Sequence, residues 1–441
     1  MRQMNRHGPS AGLGMRRATA LLCVAAVAFA GPGLAQQRLP EADCVKAALQ
    51  HHPLLAVARD RRAEAAARVL QTRSQTLPQV EMSSTYLIYD WLPPNKEKVL
   101  GGGSTDIYSE VALSQLITSF GRVEGAVQAA HFRLQIEAAA LRRTAQTVVR
   151  DVRVAYYAVG DAAMAVQYYS EAEQQMLQHL EVARGLERAG RAAPLDVIRA
   201  EVQLADIRQN LLRARNSDER SRLALNEAMG RGLGEPVAIV ELLPDRLLPP
   251  DIPLNDIMDR HPDVEAARLN VMRARSELAG ARASSSPTIS LRANLNYEGG
   301  RDPLDISNWN AGVALAVPIW DSGARKGRVR QASASLRQAE SLLRLTEQRV
   351  ELEYHSARLA LVEAHQRLTV TEQAAGLAGE ALRVVREKYR VGMGSSIEVL
   401  DTQTALTQAR ANRARAVSDY LSALARWSLA IGEDTLETPK Q

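Results

Sequence analysis

Setting Gly190 against Gly392 brings the chain into register with a second copy of itself. At that offset of 202, Leu195 pairs with Ile397, Asp196 with Glu398, Val197 with Val399, Leu204 with Leu406, Arg208 with Arg410 and Gly230 with Gly432. The same offset matches Val111 with Val313 and Gly121 with Gly323. Pro53 and Pro78 match Pro262 and Pro287 at 209, so the first copy holds seven extra residues between Pro78 and Gly121. A chain that repeats about 200 residues builds one unit twice. The seam is 231–253, where Pro236, Pro244, Pro249, Pro250 and Pro253 break helix repeatedly.

The patterns predict the same element order in both copies. The first repeat, 36–230, reads as a helix, a β-hairpin over 79–118, a long helix over 122–188, a tip hairpin and a helix over 194–230. The second, 254–432, reads as a helix, a β-hairpin over 288–319, a long helix over 324–390, a tip hairpin and a helix over 396–432, before a tail at 433–441. Strand alternation is clearest where Ile289, Leu291, Ala293, Leu295 and Tyr297 interleave with Thr288, Ser290, Arg292, Asn294 and Asn296. Eleven alternating residues fit a tilted strand crossing a bilayer, and equally half of a soluble sandwich. Four strands cannot close a barrel, and open edges cannot face lipid.

In the long helix, Ala138, Leu141, Ala145, Val148, Val152, Ala155, Val159, Ala162, Val166 and Tyr169 step by 3 and 4 in strict alternation. That is a heptad seam of mostly small residues, which lets helices approach closely and supercoil left-handedly. Val350, Tyr354, Ala357, Leu361, Ala364 and Leu368 repeat it at +202. At 1.5 Å per residue such a helix reaches roughly 100 Å, longer than a compact domain.

The N-terminus has Arg16-Arg17, an apolar run over Ala20–Ala30 and small residues ending at Ala35, the order of a secretory signal peptide over 1–35. Its four arginines, with no acid, carry most of the formal charge of +5, leaving +1 for the remainder. Nucleic acid is therefore not implied as a partner. Cleavage would leave Cys44 alone, so no intramolecular disulfide forms. With 46% hydrophobic and 24% charged residues the composition is that of a folded chain, and a mix rich in Ala, Leu, Arg, Gln and Glu favours long helices.

Three stretches, HPLLAVARDRR with its echo HPDVEAARLNV, VPIWDSGARKGRVRQA, and YRVGMGSSIEVLDTQTALTQAR, taken in this order and duplicated, resemble the TolC-like outer membrane efflux protein family, the outer membrane factors of tripartite export systems. The resemblance covers the chain beyond the signal. It implies a mainly α fold with transmembrane β: a duplicated unit of long coiled-coil α-barrel helices, with four strands per chain contributing to a homotrimeric twelve-stranded outer-membrane barrel. It further implies contact with outer-membrane lipid, a periplasmic adaptor of the membrane-fusion type and an inner-membrane RND, ABC or MFS pump. The place implied is the outer membrane of a Gram-negative bacterium, extending into the periplasm.

Carried over by position, Glu398 and Asp401 fall where the family places acidic rings at the periplasmic entrance. Asp196 falls on the first hairpin's gate position, and Tyr389 on the tyrosine of the gate's hydrogen-bond network. Gly190, Gly392 and Gly394 mark the adaptor-docking tips. Gly394 and Ala192 stand where some relatives carry larger or basic side chains, so a basic gating partner at Gly394 is absent. The bland alternative for Glu398 and Asp401 is helix N-terminal charge, typically 0.3 to 1 kcal/mol at a surface.

Nothing points to catalysis, a cofactor or a metal. Glu351 and His355 lie one turn apart without a second ligand pair. Gly101-Gly102-Gly103-Ser104 lacks a following Lys and reads as a hairpin loop, and His51-His52 before Pro53 as a helix end. The expected function is a passive export duct. A periplasmic adaptor or scaffold is the alternative from another class, although it needs lipoyl-like and small barrel domains that two β-hairpins supply poorly.

Overall fold

The computed structural model describes residues 38–88, 105–191, 193–242, 244, 248–299, 306–391 and 393–433. The signal peptide, the Gly101–Ser104 loop, Ala192, Gly392 and the tail beyond Glu433 lie outside the described residues.

The first repeat runs β1 (Arg38–Leu39), α1 (Glu41–His51), α2 (Pro53–Ser74), β2 (Gln79–Ile88), β3 (Thr105–Thr118), α3 (Arg122–Arg188) and α4 (Pro194–Met229). After β4 (Ala238–Ile239), the second runs α5 (Leu254–Arg260), α6 (Pro262–Ala283), β5 (Thr288–Gly299), β6 (Ile306–Ala316), α7 (Ala324–Arg390) and α8 (Ser396–Ala430).

Each His-Pro motif divides the opening helical stretch in two, and in the first copy α1 ends at His51, where the sequence reads as a helix end. Proline has no N–H to continue the helix but suits the first position of the next. The histidine caps it: Nδ1 of His52 accepts from Leu54 N at 3.1 Å, and Nδ1 of His261 from Asp263 N at 3.2 Å. Against these junctions pack the ends of the returning helices. Helices expected to reach 230 and 432 stop at Met229 and Ala430, because Gly230 and Gly432 turn left-handed, with φ of 70° and 65°.

The long helices start from matching turns with different chemistry. Ser119 Oγ accepts from Val123 N at 2.9 Å and donates to Glu124 at 2.6 Å. In the second copy Asp321 accepts from Gly323 N at 3.2 Å and Arg325 N at 2.8 Å. The heptad seams then face inward. Val148, Val152 and Val159 sit in one core with Ala48, Leu55, Leu225 and Met229. Their copies Val350, Tyr354 and Leu361 sit in the other with Ile257, Val264, Trp427 and Ile431. Burying one such side chain contributes about 1.5–3 kcal/mol. Between the repeats, α3 packs on α6 and α8. Arg143 ties them together, bonding Glu353 at 3.0 Å, Asp263 at 3.3 Å and the Leu429 carbonyl at 2.9 Å.

The four long strands form one antiparallel sheet in the order β2-β3-β5-β6. Its registers are duplicated: Val80 opposite Leu113 recurs as Ile289 opposite Leu315. Met82, Val111, Leu295 and Trp309 form one apolar row across all four strands, whereas Ser83, Glu110, Asn296 and Asn308 form a polar row on the other face. The apolar face is bare, with Trp309 74% exposed. That favours a lipid-facing sheet over the sandwich, whose apolar face would be covered. The last strand stops at Ala316 rather than the expected 319, leaving Val317 and Ile319 exposed. β3 has neighbours on both sides and runs to Thr118, while among the described residues β6 has only β5.

A Cβ at Gly230 would lie 2.9 Å from His52 Cα, while one at Gly190, φ 68°, would meet nothing within 4 Å. Gly190→Ala is therefore expected to cost about 1 kcal/mol, the left-handed strain alone, and Gly230→Ala about 2–4 kcal/mol with overpacking added. Thermal loss of helical circular dichroism distinguishes them. Equal shifts in midpoint would refute the close packing of the His-Pro junction.

Candidate functional site

Both long helices reverse at their far ends through short glycine turns. After α3, Gly190 donates to the Glu187 carbonyl at 2.9 Å and Arg191 to that of Leu186 at 2.8 Å, closing the helix end. Ala193 has no capping side chain, and α4 restarts at Pro194 with Asp196 in its first turn. After α7, Met393 N donates to the Lys388 carbonyl at 2.9 Å. Ser395 then caps α8, its hydroxyl accepting from Ile397 N at 3.2 Å, with Glu398 in the first turn. Gly394 lies so close to α7 that a Cβ would stand 2.9 Å from Tyr389 N. A larger or basic residue there thus requires a differently shaped turn. Gly392 is outside the described residues.

The candidate residues separate into two groups. Glu398 and Asp401, three apart on one helix face, are exposed, and neither forms an ion pair among the described residues. Tyr389 is half-buried, its ring 5.5 Å from that of His179 on α3 at an interplanar angle of 44°. His179 Nε2 lies 3.1 Å from Ser396 Oγ. Burial raises the Tyr389 pKa; the Ser396 hydroxyl opposes that shift and the Asp196 charge adds to it. Asp196 also acts on His179, whose pKa is lowered by burial and then by Arg386, against the pull of Asp196. Tyr389 therefore packs on a histidine, and the charge of Asp196 acts on both.

Sequence reasoning missed His179, Ser396 and Arg386. His179 has no echo, since position 381 is Ala. Arg386 does have one. Arg184 Nη2 bonds Glu201 at 2.7 Å, and 202 residues on Arg386 Nη2 bonds Gln403 at 2.7 Å. The crosslink from long to returning helix is kept while its carboxylate is replaced by an amide. Arg386 also reaches Gln175 on α3 at 2.8 Å, joining the two hairpins. Below it, Ala172, Met176, Leu180 and Ala183 pack with Val197, Ala200 and Leu204, and Leu400 enters from α8.

Exposed apolar residues flank both turns: Leu195, Ile198 and Val202 along α4, and Met393, 82% exposed, beside Val391 at the second turn. Among the described residues no group of three or more His, Cys, Asp or Glu could hold a metal ion. Glu351 and His355 stay on an exposed helix face.

The family model described as outer membrane efflux protein matches residues 44–231 and 254–433, one block in each repeat. Protein CyaE of Bordetella pertussis is 25% identical over 320 residues, 68% of this chain and 65% of its own length. Outer membrane protein TolC of Escherichia coli is 24% identical over 298 residues, 63% of this chain. The matched part spans less than two thirds of either relative, 59% in the case of TolC. In fold, the CmeC outer membrane channel of Campylobacter jejuni superposes with a TM-score of 0.79 at 17% identity, covering 89% of this chain and 85% of that one. The MtrE outer membrane channel of Neisseria gonorrhoeae, in its open state, gives 0.77 at 19% identity, covering 89% and 88%. The chain belongs to the outer membrane efflux protein family.

Proposed function

We propose that this member of the outer membrane efflux protein family is one subunit of a passive homotrimeric duct. It crosses the outer membrane as a twelve-stranded barrel, continues into the periplasm as a helical tube, and receives substrates from a periplasmic adaptor fed by an inner-membrane RND, ABC or MFS pump. The observation that carries this reading is a sheet with a bare apolar face and two open edges, β2 and β6. No helix among the described residues is long and apolar enough to cross a membrane. Lipid tolerates strands only when their edges are closed.

The duplication supplies a closing rule. Within the chain, Leu113 of β3 faces Ala293 of β5, and Gln115 faces Leu291. Shifted by one repeat, the same contacts place Leu315 of one copy opposite Ser84 of the next, and Val317 opposite Met82. The second contact extends β6 over residues left without a partner strand in the single chain. Helix exposure supports the same seam. Tyr157 of α3 is 6% exposed beneath α1 and α8, whereas its copy Leu359 on α7 is 71% exposed. A neighbouring copy's α4 covers Leu359 if the internal interface is repeated between subunits. The adaptor alternative uses neither the bare sheet nor these edges.

At the far end, Gly190, Gly392 and Gly394 mark the turns offered to the adaptor, with Leu195, Ile198 and Met393 as apolar contacts. Glu398 and Asp401 of three copies form an acidic entrance, and Asp196 with Tyr389 holds the tip closed. Carboxylates about 8 Å apart repel by roughly 0.5 to 2 kcal/mol per pair at effective dielectrics of 80 to 20, which favours cations and opposes closure.

Cysteines at Ser84 and Leu315 should link neighbouring copies into a covalently closed trimer in native membranes. Cys44 does not compete, being buried with its thiol pushed up to about 11. Linking no better than a Ser83 and Leu315 pair, whose side chains face opposite ways, would contradict the seam. Separately, Glu398→Gln with Asp401→Asn should lower cation preference in planar bilayers and weaken block by multivalent cations from the periplasmic side. Wild-type preference and block in that variant would reduce the two acids to helix-start charge.

A further inference from the structure

His179 stands where all four helix ends of the tip converge. It projects from α3, contacts Ser396 of α8 at 3.1 Å, and lies against the Tyr389 ring of α7 at 5.5 Å. Asp196 of α4 acts electrostatically on both rings. The other charge facing it is Arg386 of α7, held by Gln175 and Gln403, which are neutral. The first repeat gives the equivalent Arg184 a carboxylate, Glu201, so among the described residues the cation next to His179 is the one of the pair bonded to amides alone.

We propose that His179 is a proton-operated latch: its neutral ring holds the second hairpin's turn onto the first, and its protonation releases the tip. The latch rests on the reading of these turns as the periplasmic end of a duct. In the closed tip a neutral imidazole shares a hydrogen bond with Ser396 and packs, tilted, beside Tyr389. Adding a proton makes both ring nitrogens donors and places a second cation beside Arg386 in a half-buried site, with Asp196 as the opposing carboxylate. Burial and Arg386 hold the ring below the ordinary histidine value of 6.5 in this arrangement. An open tip, with the ring in water, binds the proton more tightly. The latch is therefore fully engaged above about pH 6.5 and is lost as pH falls below it. Each pH unit between the open and closed values shifts the closed-to-open ratio about tenfold per subunit.

The test is conductance of the full-length protein in planar bilayers, titrated from pH 8 to pH 5. The wild type should conduct weakly at neutral pH and rise severalfold on acidification. His179→Gln, which can still bond Ser396 but does not titrate, should flatten that rise. Tyr389→Phe should raise conductance at neutral pH while keeping the acid response. A wild-type profile flat in pH, or an undiminished acid rise in His179→Gln, overturns the latch while leaving the duct in place. Absence of conductance at every pH overturns the duct and the latch together. A flat wild-type titration overturns the latch even if a variant fails to fold.

Discussion

A strand at the edge of a sheet leaves a row of backbone N–H and C=O groups unpaired, and in hydrocarbon no water replaces the missing partners. Each such group costs several kcal/mol. β2 and β6 present two of these rows on a sheet whose apolar side is bare. Neither edge can be closed by curling four strands on themselves, because a barrel interior filled by side chains needs about eight. Repetition is the remaining solution, and the chain already contains it once, where the two hairpins meet at β3 and β5. Exposed Leu359, the early end of β6 and the two open edges are what missing neighbouring copies would leave.

The two copies keep geometry and change chemistry. The strand-to-helix turn is held by Ser119 and Glu124 in one and by Asp321 in the other. The mid-helix position is Arg143, bonding three neighbouring segments, in the first copy and exposed Leu345 in the second. At the tip, Arg184 meets a carboxylate and Arg386 an amide. A duct assembled from such chains alternates two kinds of seam. Polar crosslinks such as those of Arg143 lie within the chain, whereas apolar Leu359 is left exposed on it. In that arrangement the amide at Gln403 is what leaves a cation beside His179.

Much of this is legible in the residues themselves. The offset of 202, or 209 before the seven extra residues, pairs the same positions in sequence, in the helix cores and in the sheet register, because duplicated residues solve duplicated packing problems. The heptad seam identifies the long helices, since burial of Val148, Val152 and Val159 needs that spacing. Other features depend on partners that local patterns do not reveal. β6 carries alternation to Ile319 but stops at Ala316, because strand length follows pairing as well as propensity. The short parallel pair of Arg38–Leu39 with Ala238–Ile239 carries no pattern of its own. His179 is invisible for the same reason: its role comes from Tyr389 and Ser396, more than 200 residues away.

Closure by repetition is tested most directly by electron cryomicroscopy of the full chain in lipid discs. Three copies are expected, with β6 of each hydrogen-bonded to β2 of the next, Leu315 opposite Ser84, in a continuous ring of strands above a helical tube. A different number of copies, or β2 and β6 edges left open to lipid, would contradict it.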